Sequence, residues 1–185
     1  MRLFNFLTLA VASAASAFPH PEHTKRDGPA VVDAVQTISS SMVELNTTVS
    51  SYNGGVLGTA TALKIEFQSL ALANDLRDAI TTTENSANFT EAESMDVSGA
   101  FLDLQPDIFS TLENIVSKKE EFENGLLGVA SLGFLVKSNL EKQMRLAGEL
   151  GDAVVVKLTE TYAGIAPVVN QQIADKFEKA IAAFE

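Results

Sequence analysis

The side chains with the most obvious capacity for chemistry are carboxylates. Glu91, Glu93 and Asp96 form one acidic cluster, and Glu120, Glu121 and Glu123 form another. Paired carboxylates hydrolyse glycosides when one is held protonated and its partner ionised at a fixed separation. Here both runs read better as solvated helix faces and caps, since Thr90 with Glu93 has the spacing of a capping box. The chain has no Cys and no Trp, and its two histidines, His20 and His23, precede a dibasic pair, Lys25-Arg26. Cleavage there leaves neither imidazole nor thiolate, so the usual nucleophile–base pairs and zinc sites are not available. The expectation is a protein that is not an enzyme, with no cofactor and no metal site.

The elements that position these residues begin with processing signals. Met1 to Ala17 has Arg2, an apolar run and a small-residue end, Ala15-Ser16-Ala17, which reads as a secretory signal peptide. A membrane anchor needs roughly 20 apolar residues, and this run is too short; no transmembrane segment is expected. Residues 18–26 are proline-broken and end on the dibasic pair, as in a short pro-segment. The domain is then residues 27–185. Its ten Lys and Arg stand against 23 Asp and Glu, a formal net charge of −13, compared with −11 for the whole chain. Such a chain repels nucleic acid phosphates and anionic membranes. The C-terminus AIAAFE carries no hydrophobic anchor signal, and the expected location is extracellular, secreted or associated with a cell wall.

Periodicity predicts helices throughout and no strand. Val35, Ile38, Met42, Leu45, Val49 and Tyr52 alternate steps of three and four, giving a helix from Pro29 to about Tyr52 that ends at Asn53-Gly54-Gly55. A second helix runs from about Val56 to Thr83, with Leu63, Phe67, Leu70 and Ile80 on its expected inner face and Asn74 beside that stripe. Asn74 would bond a neighbouring helix or make a polar contact at the end of an apolar pocket. In the third stretch Val97, Phe101, Leu104, Ile108, Leu112, Ile115 and Phe122 keep one phase, although Pro106 cannot donate to the carbonyl at 102 and is expected to kink or restart the helix. A fourth region, about Leu126 to Tyr162, carries Val129, Leu132, Val136, Leu140, Met144, Leu150, Val154 and Leu158. Gly125, Gly128, Gly133, Gly148 and Gly151 punctuate it, which suggests close backbone approach or bends. Val169, Ile173, Phe177, Ile181 and Phe184 mark the last helix. The fold expected is all-α, an antiparallel bundle of five long amphipathic helices, or six if split at Pro106. Asn46-Thr47-Thr48 and Asn88-Phe89-Thr90 are N-glycosylation sequons; the second lies in a predicted linker.

The run L-x-P-D-I-x-x-x-L-x-x-I-V-x-K-K-x-x-F-x-x-G, Leu104 to Gly125, resembles fungal hydrophobic surface-binding protein A and the antigenic cell wall galactomannoproteins. The run from Ala174 to Ile181 is similar to that family's last helix. The resemblance implies that the bundle encloses a long-chain fatty acid or other apolar ligand between its helices. The candidate lining residues are Leu63, Phe67, Leu70, Ile108, Leu112, Leu132, Val136, Leu140 and Phe177, each of which taken singly reads more readily as ordinary core. The other branch of the resemblance implies adsorption to hydrophobic surfaces and recruitment of secreted hydrolases, for which amphipathic helices free of disulfides could splay open.

Overall fold

Helix α1 (Gly28–Ser50) shows how directly the heptad pattern becomes structure. Val31, Val35, Ile38, Met42, Leu45 and Val49 are all buried along one stripe, and Tyr52 extends it just past the helix end. Each such side chain contributes roughly 1.5–3 kcal/mol of transfer free energy. The computed structural model describes residues 27–125 and 131–185. The stretches expected to be a signal peptide and a pro-segment, together with Gly128 and Val129, lie outside those residues.

After α1 come α2 (Gly55–Asn85), α3 (Glu91–Ser117), the short α4 (Lys119–Glu123), α5 (Gly133–Val155), the one-turn α6 (Glu160–Ala163) and α7 (Ala166–Ala182). No strand occurs among the described residues. Five helices are long, and they close a ring: α1 packs on α2 and α3, α2 on α5, α5 on α7, and α7 on α3. Each long helix reverses the direction of the one before it. Neighbours that are not consecutive in sequence therefore run parallel, as the polar seams record. Ser39 Oγ donates to Asp107 Oδ2 at 2.5 Å, and Asn114 Nδ2 donates to Asn46 Oδ1 at 2.7 Å, both at a sequence offset of 68. By contrast, α1 and α2 are antiparallel, with Ser41 Oγ bonded to Asp75 Oδ2 and Gln68 Nε2 to Glu44 Oε1.

Three sequence expectations are corrected here. Pro106 does not divide a helix, since α3 passes through it. The donor missing at Pro106 falls where Pro106 and Leu102 are exposed, so water can take the freed carbonyl. The break comes at Lys118 instead, and α4 beyond it turns Phe122 into the core. The linker after α2 is shorter than expected, because the helix continues past Thr83 through Glu84 and Asn85; the capping box at Thr90 and Glu93 does form and starts α3.

The third correction concerns the rotation of α2. Its buried residues are Gly58, Ile65, Ser69, Leu72, Ala73, Leu76, Ala79 and Thr83. Leu63, Phe67 and Leu70 are instead 57%, 69% and 40% exposed. The helix has apolar residues around its whole circumference, and packing has placed Ile65, Leu72 and Leu76 inward together with the small Ser69, Ala73 and Ala79. Ala73, Ala79 and Ser69 let α2 approach its neighbours closely, which Phe67 and Leu70 could not. Asn74 turns outward with them and accepts a 2.9 Å bond from Arg77 Nη1 on the same helix, so it points at no pocket.

Candidate functional site

Apolar cavities remain where the five stripes meet imperfectly. The first, of about 120 Å³, lies between α2 and α5, with Leu45 of α1 and Ile115 of α3 among its walls and Phe122 nearby. Ala62 and Ser69 of α2 leave the space that larger side chains would fill. Leu63 and Leu135, both exposed, stand at its rim. Also at the rim, Asn139 Nδ2 donates to Glu66 Oε2 at 2.7 Å, pinning α5 to α2. A second cavity of about 60 Å³ lies among Met42, Leu76, Ile108 and Phe177.

Gln143 of α5 borders both cavities. Its side chain is only 4% exposed and has no hydrogen-bond partner among the described residues. Among the described residues, no Lys, Arg or His lines either cavity. The arrangement therefore suits an apolar chain and offers little to a buried anion.

Of the residues expected to line a ligand, Leu63, Leu132, Val136 and Leu140 border the first cavity, and Ile108 and Phe177 border the second. Leu112 is buried core and borders neither. Phe67 and Leu70 face outward on α2 and also border neither. Sequence reading missed Ala62, Ser69, Leu135 and Gln143. Gln143 carried a signal: it stands three residues from both Leu140 and Leu146, inside the buried stripe of α5. Glycine does mark close approach at two places, for a Cβ on Gly125 would lie 2.5 Å from the Tyr52 hydroxyl oxygen and one on Gly151 2.5 Å from Asn170 Nδ2 of α7. Gly148, in contrast, faces open space.

A third cavity, of about 300 Å³, opens between α3, the end of α5 and α7, lined by Met95, Leu102, Leu158 and Ile165. The acidic clusters are engaged elsewhere. Glu93 completes the α3 capping box, and Glu121 and Glu123 pair with Lys118 and Lys119, each at 3.4 Å. The two sequons differ. Asn88 is exposed in the loop before α3, whereas Asn46 is half-buried on the α3 side of α1, its Nδ2 donating to Ser110 Oγ at 2.9 Å.

A ring of five long helices with apolar cavities between them defines the class as an all-α helical bundle. The chain belongs to the hydrophobic surface binding protein A family, whose profile matches residues 28–156. It is similar to Cell wall mannoprotein 1 of Aspergillus fumigatus, with 24% identity over 177 residues covering 96% of this chain and 58% of that protein. Cell wall mannoprotein 1 of Talaromyces marneffei is 28% identical over 150 residues, covering 81% of this chain. The chain thus spans 58% and 30% of the lengths of these relatives. Among solved structures, Afmp4p in complex with palmitic acid superposes with a TM-score of 0.80 at 26% identity, covering 86% of this chain and 100% of that one. Ligand-binding domain 2 of Penicillium marneffei MP1, solved with multiple arachidonic acids, gives 0.76 at 26% identity, covering 86% of this chain and 97% of that one. No described helix is long and apolar enough to cross a membrane.

Proposed function

We propose that this protein is a secreted, non-enzymatic carrier that encloses a long-chain fatty acid between α2 and α5. The observation that carries the reading is the apolar cavity between these helices, in a fold that holds palmitic acid in Afmp4p. At about 120 Å³ it is tighter than the roughly 300–1,000 Å³ of typical small-molecule pockets. A ligand must therefore push α2 outward. That helix is suited to yield, because small side chains such as Gly58, Ser69, Ala73 and Ala79 are among its inner contacts while Leu63, Phe67 and Leu70 already stand outside. These residues can settle over an entering chain as the helix moves. Native mass spectrometry of the delipidated protein mixed with palmitic acid tests this. One bound acid per chain at low excess is the expected result, and no complex, or an indefinite series of adducts, counts against it.

A second reading has an observation of its own. Val56, Leu57, Leu63 and Phe67 of α2 and Phe134 of α5 are all more than half exposed. An apolar face of this kind fits adsorption to hydrophobic surfaces, and from there the gathering of secreted hydrolases.

A further inference from the structure

We infer that Gln143 recognises a neutral oxygen partway along the bound chain, so that the protein prefers fatty acids bearing a mid-chain hydroxyl or keto group to plain saturated ones. This rests on the acyl-binding reading above. Gln143 is 4% exposed and stands on the wall common to the two interior cavities. Its amide offers two donors and a carbonyl acceptor, and none of them meets a protein partner among the described residues. An amide that faces a cavity and is desolvated by a bound chain without gaining a partner is costly. Leu or Met would fill the same stripe position between Leu140 and Leu146 without that cost.

The oxygen that satisfies the amide is not the ligand's carboxylate. Among the described residues no cation lines either cavity, Glu66 stands at the rim of the first, and a desolvated carboxylate without a counter-charge is strongly disfavoured. The carboxylate stays hydrated at the mouth between Leu63 and Leu135. Its chain then runs inward through the first cavity toward Ile108 and Phe177, and passes Gln143 on the way. A methylene at that point leaves the amide unpaired. A hydroxyl there can donate to Oε1 or accept from Nε2, and a keto oxygen can accept from Nε2. The selected ligand class is therefore an oxygenated long-chain acid with its oxygen well away from the carboxyl end.

The test uses the full delipidated chain and measures affinities for stearic, 2-hydroxystearic, 10-hydroxystearic and 12-hydroxystearic acids by calorimetric titration. One added hydrogen bond predicts that at least one mid-chain isomer binds about three- to tenfold tighter than stearic acid, while the 2-hydroxy isomer matches stearic acid. In Gln143→Leu and Gln143→Met the preference is lost and stearic acid gains. The wild-type isomer series decides the matter even if one variant folds poorly. Equal affinity for all four acids sinks this inference and leaves the carrier reading standing. Preference for the 2-hydroxy isomer, which would seat the carboxyl end at Gln143, overturns it as well, and so does a mid-chain preference that survives in both variants. Failure of all four acids to bind removes both readings together.

Discussion

The ring of Tyr52 stacks on that of Phe122 with centroids 4.8 Å apart and planes inclined by 27°. Phe184 meets Phe122 edge-on at 6.2 Å. Three separate parts of the chain, the end of α1, the short α4 and the residues after α7, are held by this one aromatic cluster. Phe122 also borders the first cavity. Truncation by Phe122→Ala should cost about 3–5 kcal/mol of stability, read as a fall in the urea midpoint with an unchanged slope.

Tyr52 should behave differently when only its hydroxyl is removed. That oxygen is buried with no hydrogen-bond partner, so Tyr52→Phe is expected to stabilise the protein, by up to about 1 kcal/mol. Burial, and secondly the Glu121 carboxylate, raise the Tyr52 pKa above its ordinary value of 10.0. Because the folded value is the higher one, the phenol's contribution is complete below the unfolded pKa and is lost as pH rises through the folded pKa. The advantage of Tyr52→Phe in urea melts should therefore grow between about pH 9 and pH 11; an advantage that shrinks over that range contradicts this account of the phenol.

The rotation of α2 can be checked by two substitutions five residues apart. Phe67→Ser, on the outer face, should change stability by less than about 0.5 kcal/mol, whereas Leu72→Ala, 1% exposed, should cost about 2–5 kcal/mol. A reversal of that order would restore the inner face predicted from the sequence.

The contrast between α1 and α2 shows what a single sequence can convey. In α1 every large apolar residue of the heptad has Ser, Thr, Asn or Gln on the other faces, so only one rotation buries the stripe. In α2, Leu63, Phe67 and Leu70 compete with Ile65, Leu72 and Leu76 for the same role, and periodicity cannot choose between the two sets. The choice is made by close approach to α1 and α5, a tertiary property invisible in one helix's own pattern. Pro106 misled for a similar reason, since the cost of a proline depends on whether its freed carbonyl meets water. Gln143 was hidden by a step of four from Leu140 to Met144 that passed over it. The candidate site was thus legible on α5 and α3 and obscured on α2.

The two sequons should be occupied unequally. Asn46 Nδ2 is engaged with Ser110 and its Oδ1 with Asn114, within the α1–α3 seam, and a glycan there would break both contacts. Asn88 is exposed in a loop. Peptide mapping of the protein expressed in a glycosylating host should find any N-glycan on Asn88, and full occupancy of Asn46 would contradict the packing described for α1 and α3.

The central claim, that a chain-like ligand enters between α2 and α5, is tested most directly by thermal melting with palmitic acid. A ligand that binds only the folded state raises the melting temperature in proportion to the logarithm of its concentration above Kd. The delipidated wild type should show that rise. Ala62→Phe, which places a ring in the first cavity, should abolish it while keeping a cooperative melt. A melting temperature indifferent to palmitic acid in the wild type, or a rise that persists undiminished in Ala62→Phe, would contradict the claim.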